Sequence, residues 1–281
     1  MFFLLLRVLL APLAVLIGTV AQRRFGHAIS GLIVGLPLTS LPLLWLVALQ
    51  HGTAFASSMT GALLVGSIAE AVVLWLYARL TTHLSPTLAL GSTLVAFALV
   101  AGAVNLLKLS IILAAVITAA GFAVALRLWP ANANNTSVES GRSRLWLRLS
   151  LSAVFTFVIV ALAGQLGPVV SGLVDALPAM SLMMAFMTHQ DHGADASSTF
   201  LRGVTRGSFS YVVAMLVLAE TLRSGNVVFA FALAMGAALV VQGGVQALDS
   251  LRKLKRLLTF SPRGAANEAR SDSSAAEALC S

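Results

Sequence analysis

Two carboxylates, Glu70 and Asp175, stand in the middle of long apolar runs of this sequence. If those runs cross a bilayer, a charge at the centre costs at least ~2.5 kcal/mol, and such residues face the interior of a helix bundle and often serve function. Desolvation favours the neutral, protonated carboxyl, which suits a group that takes up and releases protons. The alternative is a protonated carboxyl that only donates a hydrogen bond to a neighbouring helix.

Two prolines stand in similar runs, each six residues after the glycine of a Ser-Gly pair: Ser30, Gly31 and Pro37, then Ser171, Gly172 and Pro178. Proline removes a helix hydrogen bond and kinks or breaks the helix. One interpretation is an unwound segment whose free backbone groups bind a solute or an ion. The other is a kinked helix whose small residues allow close packing.

Other kinds of chemistry have little support in the sequence. The only cysteine is Cys280, which excludes a disulfide framework and a cysteine metal site. The sequence has no phosphate loop and no nucleophile motif, so we predict neither an enzyme nor a bound cofactor. His189, Asp191, His192 and Asp195 lie close together but lack a supporting ligand spacing, so we predict no metal site.

The composition predicts an all-α polytopic membrane protein. Hydrophobic residues make up 58% of the 281 residues and charged residues only 10%, against roughly 25% in soluble domains. A bilayer core of ~30 Å needs about 20 apolar helical residues, because only helices satisfy the backbone in lipid. Nine runs meet this rule: 2–21, 28–49, 59–80, 86–103, 106–128, 146–164, 168–188, 200–222 and 227–248.

The basic residues predict the orientation. With the N-terminus outside and the C-terminus in the cytoplasm, fifteen of the eighteen Lys and Arg residues face the cytoplasm, and Arg7, Lys108 and Arg223 do not. The positive-inside rule favours this orientation over its reverse. The net charge of +8 is therefore a loop property rather than a nucleic-acid footprint.

The sequence matches itself when it is shifted by 141 positions. Between Gly26 and Ser57, eleven of thirty-two positions are identical to their counterparts, including Pro37 with Pro178 and a His-Gly pair with another. Matched positions are separated by five predicted spans, an odd number, so the second copy must enter the membrane upside down. The charges agree, because the loop 50–58 has no Lys or Arg whereas its counterpart leads into Arg202 and Arg206.

This arrangement predicts five regions. They are a four-helix repeat over 1–104, a connecting helix over 105–128, a cytoplasmic linker over 129–144, the inverted repeat over 145–250 and a basic, then disordered tail over 251–281. Four basic residues of the tail are predicted to contact anionic lipid headgroups: Arg252, Lys253, Lys255 and Arg256.

The unit Ser-Gly-Leu-x-x-x-Leu-Pro, followed by a helix, a short polar loop and basic residues, resembles the small GlpM-like bacterial membrane proteins. Those proteins are single four-helix units, and the resemblance implies a location in the bacterial inner membrane. It carries over no binding residue.

Two functions fit these features. Inverted repeats with interrupted helices recur in secondary transporters, whose sites lie near the bilayer midplane. This chain would then be a transporter or small-solute permease with its site between the repeats, Asp175 and Glu70 serving coupling. The alternative is a membrane scaffold or accessory protein of an envelope complex, which would explain the lack of a strong motif.

Overall fold

The computed structural model describes residues 13, 16–37, 40–130, 154, 176–248 and 250–251. Regular structure within these residues is entirely helical, which confirms the predicted all-α class. In chain order the helices are α1 (16–25), α2 (His27–Val34), α3 (Ser40–His51), α4 (Thr53–Leu80), α5 (Pro86–Leu106), α6 (Ile111–Arg127), α7 (Ala179–Thr221) and α8 (Val227–Leu248). A 3-10 turn, Leu222–Ser224, follows α7.

Three of these helices, α4, α5 and α8, are long and apolar enough to cross a membrane. They are compatible with the membrane protein that the composition predicts. Large apolar side chains lie exposed on α5 and α8, among them Leu99 at 70% and Val240 at 76%. The count of nine spans stays a prediction, because parts of the segments 2–21, 146–164 and 168–188 lie outside the described residues.

Helix α4 is the centre of the bundle and contacts α3, α5, α6 and α7. Its Tyr77, Leu64 and Leu74 are fully buried. On one side α6 packs closely, since the Thr118 hydroxyl lies 3.4 Å from the Leu64 carbonyl oxygen and also donates to the Ala114 carbonyl oxygen of its own helix at 2.8 Å. On the other side α4 meets α7, which places the two longest helices against each other.

The predicted span 28–49 is broken rather than kinked. Helix α2 ends at Val34, residues 35–37 are non-helical, and α3 starts at Ser40. Pro37 has no N–H to offer the Ile33 carbonyl, so the Leu36 N–H bonds that oxygen instead at 3.1 Å. Eight residues of α2 and twelve of α3 give about 12 and 18 Å of helix, which together match one bilayer core.

The predicted polar loops 50–58 and 189–199 are each reduced to one glycine between two helical segments. Gly52 separates α3 from α4 with φ 83° and ψ 165°, and Gly193 divides α7 with φ 87° and ψ 176°. Only glycine adopts this backbone conformation readily. The Gly52 N–H bonds the Ala48 carbonyl and its own carbonyl accepts from the Ala56 N–H, so the corner leaves no gap that water would have to fill.

A serine four residues after a corner glycine fastens two of these corners. Ser197 donates from its hydroxyl to the Ala185 carbonyl at 2.8 Å, which joins positions eight before and four after Gly193. Ser30 donates to the Gly18 carbonyl at 2.7 Å and joins the same two positions around Gly26, another glycine with φ 83°. The segments on either side of each corner are therefore packed against each other.

Helix boundaries recur at the offset of the sequence match. Helix α4 runs over 53–80 and the part of α7 after its corner over 194–221, an offset of 141 residues at both ends. Helices α5 and α8 start at Pro86 and Val227, with the same offset. The matched His-Gly pairs thus occupy equivalent corners of the chain.

The closest helix contact joins α2 to α7 through four glycines: Gly31 and Gly35, Gly203 and Gly207. We call this contact the glycine crossing. A methyl group added at Gly31 would lie 3.0 Å from the Gly203 Cα and closer still to the Phe200 carbonyl oxygen. One added at Gly35 would lie 2.8 Å from the Gly207 Cα, so the two backbones touch directly.

Replacing Gly31 with alanine should lower the free energy of unfolding by about 1–3 kcal/mol, because backbone atoms of α7 must move to admit the new methyl group. The measurement is the thermal midpoint of the protein in detergent. Gly91→Ala is the matched control, since a methyl group there would meet nothing within 4 Å. Equal midpoints for the two variants would contradict the glycine crossing.

Gly193→Ala should also destabilise, by about 1–3 kcal/mol, although a methyl group there meets nothing within 4 Å. The cost arises from the backbone, because φ 87° is strained for alanine. Comparison with Gly91→Ala in the same assay separates strain from crowding. A Gly193→Ala protein as stable as that control would show that the chain does not turn at this glycine.

Candidate functional site

The carboxylate Glu70 lies on α4 at its contact with α7, partly buried in the protein. The Ser208 hydroxyl of α7 lies 3.4 Å from its Oε1 atom, and the same hydroxyl reaches the carbonyl oxygen of Val204 at 3.1 Å. A hydroxyl has a single proton, so the serine divides it between the carboxyl and its own helix. Glu70 therefore has one weak neutral partner.

The same carboxyl lies beside the glycine crossing. Ser208 follows Gly207 directly, and Gly207 faces Gly35, the first residue of the break that ends at Pro37. A carboxyl oxygen and the backbone of an interrupted helix thus lie within a few residues of one contact. Acidic groups and freed carbonyl oxygens are what bind cations and protons in interrupted transporter helices.

Ser30 and Gly31 have packing contacts in the structure. The Ser30 side chain is fully buried, and its hydroxyl bonds Gly18 across the corner. Gly31 is covered by the backbone of α7. These contacts favour the packing interpretation of the Ser-Gly pair, while Pro37 belongs to the break.

Three of the residues predicted in the second repeat, Asp175, Ser171 and Gly172, lie outside the described residues. Pro178 is described and directly precedes α7. Its carbonyl accepts the Leu182 N–H at 2.8 Å, the first turn of that helix. Helix α7 thus starts at the residue after Pro178, as α3 starts a few residues after Pro37. The four basic tail residues also lie outside the described part of the chain: Arg252, Lys253, Lys255 and Arg256.

A buried polar cluster joins the Gly26 corner to the Gly193 corner, and the sequence did not predict it. Gln22 bonds the His27 ring and donates to the Thr188 hydroxyl at 3.0 Å. The His27 ring lies edge-on to His192, with centroids 5.2 Å apart. Polar residues inside otherwise apolar runs were the available signal. Among the described residues no three metal-ligating side chains converge.

The glycine crossing was also missed, although its signal was present. Gly31 with Gly35 and Gly203 with Gly207 both have the four-residue spacing of small residues that allows close helix contact in membranes. The pairing of α4 with α7, which gives Glu70 its partner Ser208, has no comparable signal. Contacts between residues 138 positions apart depend on the folded arrangement.

No family model, curated protein or solved structure matches this chain. The resemblance to GlpM-like proteins therefore stays a prediction that rests on the sequence motif alone.

Proposed function

We propose that this chain is a multi-pass protein of the bacterial inner membrane, made of two four-helix units inserted in opposite directions. The sequence match and the helix boundaries share one offset of 141 residues, which supports a duplication. The corners at Gly52 and Gly193 have nearly the same backbone angles, as duplicated positions would. Charges on alternate loops support the inversion.

Contacts between loops support the alternation of faces. The ring contact between His27 and His192 and the hydrogen bond from Trp129 Nε1 to the Ser198 hydroxyl, 3.0 Å long, join positions predicted at the cytoplasmic face. At the opposite face, the Ser57 hydroxyl donates to the Ala219 carbonyl at 2.8 Å. Residues assigned to one face thus contact one another, and the positive-inside rule identifies the cytoplasmic one.

Within this arrangement we propose a secondary transporter or small-solute permease whose site lies between the two units. The observation that carries the proposal is the break at Pro37 beside the carboxyl of Glu70, at the contact between the first unit and α7. A proton on Glu70 would leave when a cation, a solute or water reaches the break. Asp175 is the proposed second coupling residue.

A membrane scaffold is the second candidate, and the glycine crossing itself favours it. Backbone contact between Gly35 and Gly207 leaves no space for a solute at that point. A scaffold needs such closed packing, whereas a transporter must open it.

A solute-stabilisation screen on the purified protein separates the two functions. A bound solute stabilises only a binding-competent state, by about 2.7 kcal/mol when its concentration is a hundred times the dissociation constant. A transporter should show a rise in thermal midpoint with one class of solute, followed by uptake of that solute into proteoliposomes. A midpoint unmoved by every class, with the protein folded, would favour the scaffold.

Glu70→Gln and Asp175→Asn test the coupling. Each variant keeps a hydrogen-bonding side chain of the same shape but cannot ionise, so each should fold normally while uptake loses its response to an applied pH gradient. Uptake is measured in proteoliposomes with the solute found in the screen.

Glu220→Gln is the control for that experiment, because Glu220 is an exposed carboxylate already paired with Arg223 at 3.1 Å. It should leave the pH response unchanged. If Glu70 is structural, Glu70→Gln will be silent and Glu70→Leu will lower stability by about 1–3 kcal/mol by leaving a polar neighbour unpaired. A fully pH-responsive Glu70→Gln, Asp175→Asn double variant would end the coupling proposal.

A further inference from the structure

A cavity of about 630 Å³ lies where the start of α4 meets the α5–α6 connection and the end of α7. Its volume suits a small organic molecule. The polar residues that line it are Thr53, Ser57, Ser58, Asn105, Lys108 and Arg223. None of its described lining residues is acidic, so the local charge is positive.

Lys108 and Arg223 supply that charge from different parts of the chain. Lys108 is exposed and has φ 45°, the only positive φ among the described non-glycine residues. Such a conformation is uncommon away from glycine and occurs often at functional sites. Arg223 pairs one nitrogen with Glu220 at 3.1 Å, and a guanidinium carries five N–H donors.

The start of α4 adds neutral donors to the same cavity. The first N–H groups of a helix have no partner within it, and they attract negative charge. Gly52 precedes α4 and supplies no side-chain cap, while Thr53 and Ala54 of the first turn line the cavity. Ser57 is held in place by its bond to the Ala219 carbonyl, so this wall is fixed by α7.

The duplication gives a comparison with the opposite face of the protein. Gly61 and Val65 line the cavity, and their counterparts 141 residues later are Arg202 and Arg206. The first unit has small or apolar side chains at these two positions and receives its cations from Lys108 and Arg223 instead. Both ends of the α4–α7 pair therefore present two cations.

The positive-inside rule does not explain the pair in the cavity. Fifteen of eighteen basic residues belong to the opposite face in the proposed orientation, and Lys108 and Arg223 are two of the three exceptions. Their convergence on one cavity is therefore independent of the charge bias that sets topology.

We propose that this cavity binds a small soluble anion that carries carboxylate or phosphate groups, at the external face. The ammonium of Lys108 and the guanidinium of Arg223 pair with the anion, and the first N–H groups of α4 bond its oxygens. This deepens the transporter proposal by naming the class of its solute. Binding itself does not require transport.

The test is calorimetric titration of the purified full-length protein in neutral detergent with citrate and with inorganic phosphate, at ionic strength matched with sodium chloride. At least one of the two should bind, and Lys108→Gln and Arg223→Gln should each raise the dissociation constant about tenfold by removing a charged hydrogen-bond donor. Lys108→Arg retains the charge and should stay within about threefold of the wild type.

Arg79→Gln is the matched control. It removes the same charge from the far end of α4, where Arg79 lies over the Trp75 ring at 5.9 Å, and should leave binding unchanged. Size-exclusion profiles identify any variant that fails to fold, and Lys108→Arg then provides the folded comparison.

Three results would overturn the proposal: no binding of either anion, equal binding by Lys108→Gln, or binding of short-chain phosphatidylglycerol in place of the soluble anions. Uptake in proteoliposomes is measured separately. Charge-dependent binding without uptake would refute the transporter and leave the anion site standing, whereas uptake of a neutral solute without anion binding would refute only the site.

Discussion

The contact that the rest of the molecule depends on is the crossing of α2 and α7 at Gly31, Gly35, Gly203 and Gly207. Lipid tails are as apolar as leucine, so close van der Waals packing of small residues, rather than the hydrophobic effect, associates helices in a bilayer. These glycines let two backbones touch. Because Gly207 precedes Ser208 and Gly35 begins the break at Pro37, the same contact sets the carboxyl of Glu70 beside an interrupted helix. The crossing also joins the proposed units, since α2 belongs to the first and α7 to the second.

Single-glycine corners keep this crossing in register. At Gly26 and Gly193 the serine four residues later bonds the carbonyl eight residues earlier, so each corner is a packed unit rather than a loop. The Gln22, His27 and Thr188 cluster then ties the two corners together at one end of the crossing. At the other end of the molecule, the Gly52 corner opens the wall of the cationic cavity. One closed end and one open end are the asymmetry expected of a protein resting in a single state of an alternating cycle.

Much of this fold follows from sequence because it depends on local chemistry. Composition predicted the helices, Pro37 marked the break, and the matched His-Gly pairs marked equivalent positions. The regions 50–58 and 189–199 were predicted as loops because their polar residues resemble loop residues, whereas one positive-φ glycine suffices to turn the chain. Small residues are common in membrane helices, so the four crossing glycines did not stand out. The Glu70–Ser208 pair and the convergence of Lys108 with Arg223 arise from tertiary packing, which no local pattern encodes.

The inverted duplication is the central claim, and cysteine accessibility tests it most directly. Gln50 and Asp191 are exposed, lie 141 residues apart and stand two residues before the equivalent corner glycines. Each is changed to cysteine in a Cys280→Ser background, and intact cells are labelled with a membrane-impermeant maleimide. The account predicts that Gln50→Cys is labelled in intact cells and Asp191→Cys only after permeabilisation. Labelling of both from the same side would show that the two units share one orientation and would contradict the account.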